Sequence, residues 1–200
     1  MDSGNGLRVN GSTPLQIADQ GWYFQNGAHN PSNQNYIVGQ CMVSCFSRGE
    51  YRNWFVFDIA NLTSPVTFLS LRLFSFDVTL TSGNYYLNDV TTPLGSLTGG
   101  TGGVAAFNDL GTGTNYGFRF YQSATDSNQF FDIALNGAAI AGLNTAITGG
   151  ASQWGIGGAF AAGSVPVPPV PPAPIPLPPS AALLLGGLVA MRFMMRRKQG

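Results

Sequence analysis

The chain has 200 residues, of which 9% are charged and 12% aromatic, and its formal net charge is zero. The charged fraction lies far below the roughly 25% of an average soluble protein, while the aromatic content supplies enough apolar surface to exclude a disordered chain. Residues 1–164 hold all nine acids against five bases, Arg8, Arg48, Arg52, Arg72 and Arg119, a net charge of −4, so the body has no electrostatic footprint for nucleic acid.

Residues 1–11 are polar and contain no apolar h-region, so no secretory leader is visible. Because the tail described below calls for export, the true start is expected to lie upstream. Eight strands are predicted, near 21–24, 36–40, 51–59, 66–77, 85–90, 116–122, 129–135 and 153–160. They rest on period-2 alternation between Gly/Asn/Ser/Thr clusters. Phe55, Phe57 and Ile59 alternate with Trp54, Val56 and Asp58, and Leu69, Leu71 and Leu73 oppose Phe68, Ser70, Arg72 and Phe74. Phe131, Ile133 and Leu135 face away from Phe130, Asp132 and Ala134.

Cys41 and Cys45 are the only cysteines. Two ligands without a second Cys/His pair make no structural zinc site. A disulfide closing this local loop is expected in an exported protein, with two buried thiols as the alternative. The glycine-rich stretch 98–103 is followed by no Lys and sits in no strand–loop–helix unit, which makes it a surface loop rather than a phosphate cradle. Residues 137–147 break the strand pattern, because Ile140, Leu143 and Ile147 recur at helical spacing. Asn136 is placed to cap this helix and Gly149 to stop it. The whole predicts a mainly β body, an antiparallel β-sandwich or jelly roll with one short helix closing an end.

The tail changes character abruptly. Residues 165–179 alternate Pro with Val, Ala, Ile and Leu, a composition that adopts extended polyproline II. At about 3.1 Å per residue this makes a semi-rigid stalk of roughly 45 Å. The following sixteen residues, 180–195, carry the apolar run Ala181, Leu183, Leu184, Leu185, Leu188, Val189 and Met191. As a transmembrane helix they would span about 24 Å, with Arg192 snorkelling to the interface. Arg196, Arg197 and Lys198 then mark the cytoplasmic side. The expected organisation is an extracytoplasmic domain over 1–164, a proline-rich linker over 165–179, and a membrane helix with its basic end over 180–200.

Stalk, apolar helix and basic end, in this order, resemble the C-terminal sorting signal of the PEP-CTERM class. The motif Ile175-Pro176-Leu177-Pro178-Pro179-Ser180 is closest to the variant with a Val-Pro-Leu-Pro-Ala core, with Ile175 in place of Val and Pro179 in place of the small residue. The resemblance implies recognition by an exosortase-type transpeptidase in the inner membrane of a Gram-negative cell, which cuts near the motif and passes the body to the cell surface or extracellular matrix. The precursor is then membrane-anchored with its N-terminal domain outside, and the chain is a substrate of that enzyme. The body also looks like ectodomains that carry such tails, through Trp22-Tyr23, His29-Asn30-Pro31-Ser32, Glu50–Asp58, Leu71-Arg72-Leu73, Asn88-Asp89-Val90 and Ala106–Gly111.

Catalytic chemistry finds little footing. His29 is the only histidine and no serine sits in an elbow motif. Glu50 and Asp58 lie eight residues apart along one predicted strand, too far for a glycosidase pair needing roughly 5–10 Å. Asp58 is expected instead to end its strand and pair with Arg72. Asn88-Asp89, Asn108-Asp109 and Asp126-Ser127-Asn128 offer oxygen ligands suited to calcium, yet the same residues form Asx turns. No other cofactor or metal is expected. Trp22, Tyr23, Trp54, Tyr85, Tyr86 and Trp154 are the pool for stacking on sugars, most of them destined for the core, with Tyr85 and Tyr86 split inward and outward. The expected role is therefore a non-catalytic, structural component of a biofilm or exopolysaccharide matrix. The rival is a carbohydrate-binding module that contacts exopolysaccharide.

Overall fold

The computed structural model describes residues 4–41, 47–79 and 81–162. The predicted stalk, sorting motif, membrane anchor and basic end at 165–200, and Cys45, lie outside the described residues. Among the described residues no helix is long and apolar enough to cross a membrane.

The described chain is mainly β. Its strands are β1 (Gly6–Val9), β2 (Leu15–Phe24), β3 (Gly39–Cys41), β4 (Gly49–Asp58), β5 (Leu69–Ser75), β6 (Ser82–Asn88), β7 (Asn115–Gln122), β8 (Gln129–Ala134) and β9 (Gln153–Ala162). Three helices interrupt them, α1 (Leu94–Thr98), α2 (Gly103–Asp109) and α3 (Gly137–Thr148). Every pairing is antiparallel, in the order β7-β6-β9-β4-β2-β1-β5-β8, with β3 added beside β4.

This is one sheet curled nearly into a barrel, where the sequence pattern suggested two stacked sheets. The reason lies in β2. Its start pairs with β1 at Leu15 and Gln16, and from Ile17 onward it pairs with β4. A register shift between Ile17 and Asp19 bends the strand there, the usual effect of a bulge, so one strand belongs to both halves. At the far ends β7 and β8 meet. Asn136, just past β8, donates its backbone N–H to the Tyr116 carbonyl and its side-chain amide to the Asn115 carbonyl, each at 2.8 Å.

The alternation expected from the sequence fills the interior. Leu69, Leu71 and Leu73 from β5, Phe55 and Phe57 from β4, and Ile133, Leu135, Trp154 and Ile156 are buried in one cluster. α3 plugs one end of it with Ala139 and Leu143. Asn136 caps this helix by accepting from the N–H groups of Ala138 and Ala139, as its sequence position predicted. Asn144 fixes the plug by bonding both the N–H and the carbonyl of Val66.

The outer face of β4 is buried as well. Trp54 and Val56 join Tyr23, Leu97, Phe107 and Leu110 in a second cluster beneath α1 and α2. These two helices flank the loop expected at 98–103, whose residues 99–102 run between them, and the described residues hold three helices where one was predicted. The packing demands glycine on β9: a Cβ on Gly157 would lie 2.9 Å from the Leu110 Cα, so no side chain fits between strand and helix end. Arg52 holds the same layer from below. It donates to the Phe107 and Asn108 carbonyls at 3.0 and 3.2 Å, bonds Glu50 at 2.7 Å, and lies 4.1 Å over the Phe107 ring. A cation on the last carbonyls of a helix also complements its dipole.

Candidate functional site

With α3 plugging one end, the opposite end of the barrel opens into a cleft of about 460 Å³. Strand geometry brings it together. β4 turns its Gly49–Tyr51 end toward β3, while β9 continues along β6 to Ala162. Beyond the Asn53–Gly158 pair β9 leaves β4, β3 takes its place along Glu50 and Tyr51, and residues of both strand ends line the cleft.

Leu73, Val78, Tyr85, Tyr121 and Phe160 form the inner wall, and Tyr36 and Phe74 flank it. The Tyr85 and Phe160 rings stack at 6.3 Å, and Tyr121 meets Tyr85 edge-on at 6.2 Å. The floor is polar but self-satisfied. The Tyr85 hydroxyl donates to Asn53 Oδ1 at 2.8 Å, and Asn53 Nδ2 donates to the Tyr36 carbonyl at 3.0 Å. The Tyr36 hydroxyl donates to the Phe74 carbonyl at 2.7 Å and accepts from Asn5 at 3.1 Å.

Burial makes both inner hydroxyls harder to ionise than an exposed tyrosine. It raises the Tyr85 pKa well above its ordinary value, with the nearby Tyr121 adding to the rise and the Asn53 hydrogen bond opposing it. It pushes Tyr121 up to about 12, against the opposing charge of Arg119. Asn35, Gln40, Asp77 and Thr79 supply a polar rim. Two apolar side chains stand exposed at the mouth, Ile37 at 43% and Phe76 at 56%. From Phe76 an aromatic ridge runs outward over Phe74, at 4.8 Å, to Phe130, at 5.0 Å from Phe74, where Arg72 lies 4.6 Å above the ring.

The residues singled out from sequence fall as follows. Tyr85 points inward and is buried, while Tyr86 points out against Phe118, the predicted split. Tyr23, Trp54 and Trp154 are buried and Trp22 half-buried. His29 stacks on Tyr23 at 4.9 Å and its Nδ1 bonds the Trp22 carbonyl at 2.7 Å. Since a carbonyl only accepts, Nδ1 carries the proton. His29 is thus a loop hydrogen bonder beneath the α1–α2 layer, away from the cleft.

Glu50 and Asp58 sit at opposite ends of β4. The expected pairing of Asp58 with Arg72 is incorrect: Arg72 bonds Asp132 at 2.8 Å, across the β5–β8 ladder, and Asp58 accepts from Gln153 across the β4–β9 ladder. In each case the cross-strand register decides the partner. Of the carboxylates considered for calcium, Asp109 and Asp89 tie together segments distant in sequence, and Asp126 closes a local turn. Asp109 accepts from the Thr91 and Thr92 N–H groups, Asp89 from Thr114, and Asp126 from Gln122. Among the described residues no three His, Cys, Asp or Glu side chains gather into a metal-binding group. Cys41, at the edge of the cleft, is disulfide-bonded.

The cleft itself escaped sequence reasoning, because its lining spans Asn35 to Phe160 and depends on pairing order. The concentration of aromatics from Phe74 to Tyr86 was its only local sign. No protein-family model matches the chain, and no curated protein matches it.

Proposed function

We propose that this chain is an exported, non-catalytic protein of the cell surface or extracellular matrix, delivered by an exosortase-type sorting tail, whose barrel acts as a binding module. The observation that supports the binding role is the cleft at the open barrel end. Its size falls within the roughly 300–1,000 Å³ of small-ligand sites, which favour the mouths of β-barrels. Delivery rests on the order of stalk, apolar run and basic end in 165–200. Carbohydrate recognition is the second reading. The ridge Phe74–Phe76–Phe130 favours it, because exposed rings are the faces on which sugars stack.

Mass spectrometry of the mature C-terminus, in a host with an exosortase, tests delivery. Loss of the segment bearing Arg196, Arg197 and Lys198 is expected, and an intact end in the surface fraction refutes sorting. Glycan-array binding abolished by Phe76→Ala, an exposed position, would establish the second reading.

A further inference from the structure

We infer that the cleft binds a single acyl or alkyl chain whose head group is not anionic. The inference rests on the barrel being a binding module and names what it would hold.

Four features lead to this ligand. The inner wall is hydrocarbon and ring face: Leu73, Val78, Tyr85, Tyr121 and Phe160. The polar atoms beneath it are already spent on one another, Tyr85 on Asn53 and Asn53 on Tyr36. A hydroxyl-rich ligand pushed to this depth would lose its water and gain few partners, whereas a hydrocarbon chain has no such bonds to lose. Ile37 and Phe76 extend the apolar surface out to solvent, a path along which a chain can slide in. Finally, among the described residues the lining contains one acid, the exposed Asp77, and no Lys, Arg or His, and Arg119, the cation that acts on Tyr121, is already paired with Asp126. A carboxylate or phosphate head at the rim meets the Asp77 charge with no cation in the described lining to offset it, while an alcohol, amide or ammonium head meets no such repulsion.

Photo-crosslinking of the full chain tests this. A dodecanol carrying a terminal diazirine is irradiated with the protein at neutral pH, and adducts are mapped by peptide mass spectrometry. Adducts concentrated on peptides containing Tyr36, Leu73–Val78 and Tyr121 are expected. The matching diazirine dodecanoate should label these peptides about two- to fivefold less, the range of one weakly screened charge contact. Asp77→Asn should bring the two probes close to parity. Ile37→Glu and Phe76→Ser, both at exposed positions, should reduce cleft labelling without altering the circular dichroism. Val78→Phe should block it from within.

Labelling spread evenly over the chain, or unchanged in Ile37→Glu and Phe76→Ser, overturns the inference. So does equal labelling by alcohol and carboxylate in the unaltered protein. Hydrogen exchange with added glycan fragments separates the two levels. Slowed exchange at residues 36–41 and 74–79 without dodecanol labelling overturns the acyl ligand and leaves a binding module. Neither effect overturns both.

Discussion

Asp109 shows how a single carboxylate is used in this fold. Its burial disfavours the charged form, but hydrogen bonds from the side chain and N–H of Thr91 and the N–H of Thr92 outweigh that and hold its pKa below the ordinary 3.8. A lowered folded-state pKa stabilises the protein above the unfolded value and is lost as pH falls through the folded one. Urea denaturation should therefore show stability dropping from about pH 4 downward, and Asp109→Asn should flatten part of that slope while lowering stability at neutral pH. Tyr85 is the other residue with an isolable role. Tyr85→Phe keeps the ring but leaves Asn53 Oδ1, in a side chain 1% exposed, without its 2.8 Å donor. A cost of about 1–3 kcal/mol is expected in the same denaturation experiment, the penalty of an orphaned buried acceptor. The inward direction of Tyr85 was legible in the sequence from simple alternation with Tyr86. Its partner Asn53 was not, because nothing local joins positions on β4 and β6 that meet over Gly158 of the intervening β9.

At the scale of elements, legibility followed clear periodicity more than length, for the ten-residue β2 was read only over 21–24 while the six-residue β8 was read in full. The ten-residue β4 and the twelve-residue α3 carry enough repeats of their period to be recognised, and α3 also carries its cap. β1 has four residues, α1 five and α2 seven, too few for a period to rise above the surrounding glycines. The turn Asn10-Gly11, with φ of 52° and 76°, was the available signal for β1, since adjacent positive φ values mark a tight hairpin. Spacings of three, Leu94 with Leu97 and Phe107 with Leu110, were the corresponding signals for the helices. Both faces of β4 proved buried because those helices cover its outer side, which explains why Trp54 and Val56 are as apolar as Phe55 and Phe57. The α3 cap offers a clean test, since Asn136 uses its oxygen for the helix and its amide nitrogen for β7. Asn136→Ala removes both and should cost about 1–3 kcal/mol in thermal unfolding. Asn136→Asp keeps the cap oxygen but not the amide donor, and should recover only the capping share of that loss.

For the molecule as a whole, mainly β structure followed from alternation. Closure of the sheet did not follow, because it depends on which strands pair. β9 inserts between β4 and β6 from the far end of the body, and β5 pairs with β8 across an interval of about sixty residues. Such non-local pairings leave no mark in any short window. Closure also decides what happens when many copies share a crowded space. An open sheet ends in two strands whose unpaired N–H and carbonyl groups invite another chain to add itself. Here β7 and β8 lie against each other, bridged by Asn136, and among the described residues the added edge at β3 spans three residues. A passing extended segment finds little ladder to extend, so the barrel can be packed at high local density without polymerising through its edges.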